Sequence, residues 1–141
     1  MGNEYKLDRF IEAQNGSYEK ALAEIRGGRK RSHWMWYIFP QVTGLGFSET
    51  SRYYAIKNLD EASAYLQHPI LGPRLVEICT VLLKLDNNNA GDIFGNPDDM
   101  KLRSSMTLFA EVEGADKVFK LALDKFFKGL KDDKTLRLLG P

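Results

Sequence analysis

Residues 73–85, PRLVEICTVLLKL, constrain the fold more than any other stretch of this chain. Leu75, Ile78, Cys79, Leu82 and Leu85 recur at helical spacing, and Val76, Val81 and Leu83 widen the apolar stripe beyond one face. A helix apolar over so much of its circumference must be surrounded by other elements, so it belongs at the centre of a core. Pro73 suits the first helical position, where a missing N–H costs nothing. Asp86-Asn87-Asn88-Asn89 closes the helix in turn-forming residues.

The rest of the chain supplies the surrounding helices. Leu7, Phe10, Ile11 and Gln14 mark one helical face, and Tyr18, Ala21, Leu22 and Ile25 mark another. The short Asn15-Gly16 link predicts that these two pair as an antiparallel hairpin, with Ser17 as a cap and one of Gly27-Gly28 at positive φ. Asp60 is the expected cap of a helix to about Gln67 with Ala62, Tyr65 and Leu66 inward, and His68-Pro69 breaks it. Asn96-Pro97-Asp98-Asp99 starts a helix carrying Leu102, Met106 and Phe109. Residues 116–128 form another, with Phe119, Ala122, Leu123 and Phe126 inward. Asp132-Asp133 caps a last one bearing Leu136 and Leu139. The expectation is one domain over residues 1–141, mainly α, an orthogonal assembly of about six or seven helices with one long irregular segment.

Composition excludes several classes. With 141 residues, 43% hydrophobic and 28% charged, the chain can bury a core of its own. A net charge of +1 gives no global pull toward nucleic acid or anionic lipid. Cys79, the one cysteine, sits in the apolar stripe and reads as packing. The opening MGNEYKLDRF has no apolar leader, and Lys6 stands where a myristoylation signal carries Ser or Thr. No apolar run is long enough to span a bilayer, so a cytoplasmic location is expected. His33 and His68 lie far apart and have no second cysteine, which argues against zinc; no cofactor motif is present.

The irregular segment, 27–54, reads GGRKRSHWMWYIFPQVTGLGFSETSRYY and concentrates the chemistry. Ser32 to Phe39 has strand-like composition without alternation, and Pro40 ends it. Arg26, Arg29, Lys30 and Arg31 follow a helix end, where one or two cations satisfy the last carbonyls. The excess suits a phosphate or carboxylate ligand. Trp34, Trp36, Tyr37 and Phe39 must be divided between core and surface; in a strand the two indoles share a face, and in a helix they separate. An exposed indole beside cations is a platform for a base or nicotinamide ring. His33 is the one candidate general acid or base. Gly44-Leu45-Gly46 is a turn.

A second polar cluster lies in DDMKLRSSMTLF. Lys101, Ser104 and Ser105 share a helix face, and serines mid-helix either bond back to i−4 carbonyls or close a site. The expected site therefore has two walls. Arg29, Lys30, Arg31, Ser32, Trp34, Trp36, Gln41, Gly44 and Gly46 form one, and Lys101, Ser104 and Ser105 the other. The expected ligand is small, anionic and nucleotide-derived, with ADP-ribose or an NAD product as the first to test. Two alternatives stay open: a nucleic-acid or protein interaction module using Arg26 to Arg31, against which the near-neutral charge argues, and no ligand site at all.

At GRKRSHWMWYIFPQVTGLG, YAIKNLDEASAYLQHPILGPRL and KLRSSMTLF the sequence resembles the domain-of-unknown-function family 1810, small bacterial proteins sometimes labelled calpastatin. The likeness runs from about Arg9 to Leu139. It implies a mainly α-helical single domain and no established activity. It also points to Lys30, Ser32, His33, Trp34, Trp36, Pro40, Gln41, Gly44, Gly46, Lys101, Ser104 and Ser105 as carriers of the family's function. The calpastatin label conflicts with the chain's physics: a disordered protease inhibitor is polar and repetitive, and this chain is periodic and apolar-rich.

Overall fold

In the computed structural model, which describes residues 5–140, helix Leu71–Lys84 lies against three other helices. The order along the chain is α1 (Asp8–Gln14), α2 (Tyr18–Arg26), α3 (Met35–Ile38), α4 (Glu49–Tyr53), α5 (Leu59–Gln67), α6 (Leu71–Lys84), α7 (Ala90–Phe94), α8 (Asp98–Ala110), α9 (Val118–Phe127) and α10 (Asp133–Leu139). The fold is all-α, with ten helices among the described residues rather than six or seven. The extra ones are short, and two of them, α3 and α4, fall inside the segment expected to be irregular. The extended pairing among the described residues is a parallel bridge between Val42 and Ile56. The Met1-Gly2 reading of the N-terminus lies outside the described residues.

The α6 stripe behaves as its sequence dictates. Leu75, Ile78, Cys79 and Leu82 are buried, and the helix packs against α2, α5 and α9. Burial pushes the Cys79 thiol well above its ordinary pKa, with a smaller push from Asp116, so it stays protonated inside the core. Its start corrects the sequence expectation: α6 begins at Leu71, and Pro73 is its third residue. The whole first turn lacks intrahelical acceptors for its amides, so proline is tolerated there as well. His68 Nδ1 accepts from the amides of Ile70 and Leu71 at 3.1 and 3.3 Å and takes up two of those orphans.

Around α6 the expected faces are buried, with some changes of detail. α5 is capped by Asn58, whose Oδ1 accepts from Glu61 N at 2.9 Å; Asp60 sits in the first turn, its charge favoured by the helix dipole. The expected α1–α2 hairpin does not form: α1 packs on α3, and α2 on α6. Buried Gln14 donates to Tyr37 O and Tyr65 Oη and ties these elements together. Gly28 takes the positive φ after α2. α8 packs against α5, α7, α9 and α10 and is buried almost all round, through Leu102 and then Ser104 to Phe109. Asp132 caps α10 through Thr135 N at 3.0 Å. No helix among the described residues is long and apolar enough to cross a membrane.

Candidate functional site

The basic loop after α2 is organised by Glu24, a half-buried residue of α2. Its carboxylate accepts from Arg31 N at 2.7 Å, Ser32 N at 3.0 Å, Ser32 Oγ at 2.6 Å and Trp34 Nε1 at 2.9 Å. Desolvation alone would raise the Glu24 carboxyl, but the bonds from the Ser32 hydroxyl, the Arg31 amide, the indole and the Ser32 amide outweigh it and hold it at about 2. Lys30 then anchors the loop to the far side. Its amide donates to Ile93 O at 2.7 Å, and its ammonium donates to Ser32 O at 2.5 Å and pairs with Asp98 at 2.9 Å. The same ammonium lies 5.1 Å from the centroid of Trp34.

The strand-like run is a helical turn, and this divides the aromatics. Met35 to Ile38 are helical and Trp34 is the residue just before them, so the chain turns between the two indoles and they do not share a face as they would in a strand. Trp34 is 1% exposed and packs against Phe39 and Phe94. It is therefore core and not a stacking platform. Trp36 is half-buried, and the Lys101 ammonium lies 4.9 Å from its ring centroid. Lys101 also pairs with Asp98 at 3.3 Å. Asp98 thus sits between the basic loop and the start of α8.

Trp36 and Lys101 face a cleft of about 450 Å³. Trp36, Gln41, Gly46, Phe47, Ser48 and Ser51 form one wall, and Met100, Lys101, Ser104, Asp132 and Lys134 the other. Ser104 Oγ donates to Met100 O at 3.2 Å and lies 3.3 Å from Asp132 Oδ2. Gly46 is there for space: a Cβ on it would lie 2.5 Å from Ser51 Oγ. Phe47 is 76% exposed at the rim.

Of the residues expected from sequence, Trp36, Gln41, Gly46, Lys101 and Ser104 come together in this cleft. The others do not line it. Arg29 and Arg31 are exposed on the loop, Lys30 is consumed by Asp98 and Ser32 O, and Ser32 bonds to Glu24. Gly44 lines a small neighbouring recess with Arg52 and Tyr54 and lies against Leu138. Ser105 is wholly buried, on the inner side of α8. His33 is exposed and lines an adjoining cleft of about 480 Å³ with Tyr37, Thr50 and Tyr53, which shares only Trp36 with the first. Sequence reasoning missed Phe47, Met100 and Lys134, which carry no local signal, and it read Asp132 only as a cap. No three His, Cys, Asp or Glu side chains converge as metal ligands among the described residues.

The crystal structure of the conserved hypothetical protein Rv1873 from Mycobacterium tuberculosis, at 1.38 Å, is similar throughout: 45% identity over 99% of both chains, with a TM-score of 0.96. No curated protein matches the chain. The family model described as protein of unknown function (DUF1810) matches residues 4–139, nearly the whole length, and the chain belongs to that family.

Proposed function

We propose that the cleft between Trp36 and α8 binds a small anionic ligand bearing a flat ring, nucleotide-derived, with ADP-ribose or a related NAD product as the first to test. The observation that carries this is the half-buried Trp36 face with the Lys101 ammonium 4.9 Å from its centroid, at the wall of a 450 Å³ cleft. A flat ring packs against the part of the indole that Lys101 leaves uncovered, and an anion meets Lys101 and Lys134. Gln41, Ser48 and Ser51 supply hydrogen bonds to the rest of the ligand. The one lining carboxylate, Asp132, is already engaged by Thr135 and Ser104. His33 enters only where a ligand reaches past Trp36 into the adjoining cleft, so binding is the primary role and His33 the one catalytic candidate.

A thermal-shift panel of nucleotides, ADP-ribose and nicotinamide derivatives tests this. A ligand at 100 times its Kd stabilises the fold by about 2.7 kcal/mol, and Trp36→Ala removes the effect. No shift with any member of the panel overturns the proposal. Arg26, Arg29 and Arg31, all exposed within six residues of chain, favour the second reading, an electrostatic interaction module for nucleic acid or protein. That one predicts binding that falls steeply with salt and ignores base identity.

A further inference from the structure

We infer that a second site, beside the Val42–Ile56 bridge, holds a compact polyanion of the phosphate class. The cleft there has a volume of about 490 Å³ and is lined by Lys6, Arg9, Thr43, Arg52, Tyr53 and Lys57 together with Glu61. At its base Arg9 and Glu61 are fully engaged. The Arg9 guanidinium spends its donors on Tyr53 O, Tyr5 O, Lys6 O, Ala55 O and Glu61. Glu61, the one carboxylate in the lining, pairs with Arg9 at 2.9 Å and accepts from Lys57 N at 2.6 Å. Arg9 and Glu61 therefore cancel, and neither is available to the other cations.

What remains is an excess. Lys6, Arg52 and Lys57 are exposed at the same cleft and make no ion pair among the described residues. The chain as a whole is nearly balanced, with 20 basic and 19 acidic residues, so three unmatched cations around one concavity are a local concentration of charge. Lys6 is moreover held at φ 52, a left-handed conformation unusual for lysine, with its carbonyl pinned by Arg9. Tyr53, 56% exposed, and Thr43 add hydroxyl donors. Three positive charges exceed what a single carboxylate can neutralise; a di- or triphosphate group matches them, with the Arg52 fork taking two oxygens and the lysines acting as point charges. This site shares none of its cations with the Trp36 cleft and stands independently of the function proposed for it.

The test is calorimetric titration of the full chain with sodium tripolyphosphate, with ATP, and with a mixed-sequence single-stranded oligodeoxynucleotide. Tripolyphosphate is expected to bind. Arg52→Gln and Lys57→Gln should each weaken it about tenfold, because each removes a charge-assisted contact. Lys84→Gln, an exposed lysine at the end of α6, should leave it unchanged. Trp36→Ala should abolish any ADP-ribose shift yet spare tripolyphosphate, which separates the two sites. In the Trp36→Ala chain, where the first cleft is disabled, ATP binding more tightly than tripolyphosphate assigns the source to a nucleotide, and equal affinity assigns it to a free oligophosphate. Absence of tripolyphosphate binding overturns the inference, as does affinity unchanged in Arg52→Gln and Lys57→Gln. Binding of the oligodeoxynucleotide alone overturns it in favour of a nucleic-acid surface.

Discussion

Glu24 Oε1 accepts the indole N–H of Trp34 at 2.9 Å, across ten residues of chain. The same carboxylate collects the amides of Arg31 and Ser32 and the Ser32 hydroxyl. One side chain on α2 thus fixes the basic loop and sets the direction in which the following helical turn presents Trp36. Replacing Glu24 with Gln keeps the shape and an acceptor for the three N–H groups on Oε1, but it removes the negative charge and forces the Ser32 hydroxyl to accept where it donated. The expected cost is about 2 kcal/mol, measured by urea unfolding, because four charge-assisted hydrogen bonds become neutral ones.

The Glu24 network also predicts an acid response. The folded carboxyl sits at about 2 against an ordinary 4.5. A depressed folded pKa adds stability that is complete above the ordinary value and is lost as pH falls through the folded one. The urea midpoints of wild type and Glu24→Gln should therefore stay well separated above pH 4.5 and converge between about 4.5 and 2. A gap constant down to pH 2 would show that Glu24 does not hold the loop as a carboxylate.

The two indoles should respond unequally to substitution. Trp34 is 1% exposed, and Trp34→Ala should cost about 3 to 5 kcal/mol, the usual range for deleting a large core aromatic. Trp36 is half-buried, and Trp36→Ala should cost about 1 kcal/mol while removing ligand effects at the cleft. Chemical denaturation of both variants checks the ranking.

This division marks how far the sequence could be read. The long helices follow from periodicity, because α6 and α9 bury faces spelled out by Leu75, Ile78, Leu82, Phe119 and Leu123. Turns as short as α3 and α4 cannot show a helical period, so Ser32 to Phe39 has a strand-like composition without alternation, and the turn at Met35–Ile38 inside it is not legible. Half of the candidate cleft was visible because Trp36, Gln41, Lys101 and Ser104 stand in two dense clusters. Glu24 was invisible: it looks like a solvated charge on an outer face, and its partners are set only by where the chain returns after Gly28. The excess at Lys6, Arg52 and Lys57 was equally hidden, since these positions meet only in the folded chain.

Ser105 and Thr107 separate two roles for a buried hydroxyl on α8. Ser105 Oγ is buried and has no hydrogen-bond partner, whereas Thr107 Oγ1 donates to Arg103 O at 2.8 Å and accepts from Asp132 N at 2.9 Å. Ser105→Ala should raise stability by about 1 kcal/mol by removing an unmet polar group. Thr107→Val should lower it by about 2 kcal/mol, because the Asp132 amide loses its acceptor. Thermal unfolding of the pair gives the two signs directly.

Gly72 is required by proximity, not by backbone angle. A Cβ there would lie 2.0 Å from the Leu66 carbonyl oxygen, which is backbone and has nowhere to move without shifting α5 against α6. Gly72→Ala should therefore destabilise by about 3 kcal/mol, although alanine is the better helix former. A stability equal to wild type would mean that the α5–α6 junction yields to admit a methyl group.

Asp98 links fold and cleft, because it pairs with Lys30 at 2.9 Å and with Lys101 at 3.3 Å. The Lys30 side chain is only 8% exposed and its remaining contacts are Ser32 O and the Trp34 ring, so Asp98→Asn strands an almost buried ammonium. The expected loss is about 2 to 3 kcal/mol, at the low side for a broken buried pair because the carboxylate end keeps some water. Lys101 gains by the same change: freed from its carboxylate, it presents a full charge to the Trp36 cleft. An anionic ligand of that cleft should then bind several-fold more tightly to Asp98→Asn than to wild type, even though the variant is less stable. Titration alongside urea unfolding reads both quantities. If affinity and stability fall together, Asp98 is a part of the binding wall and not a competitor for its cation.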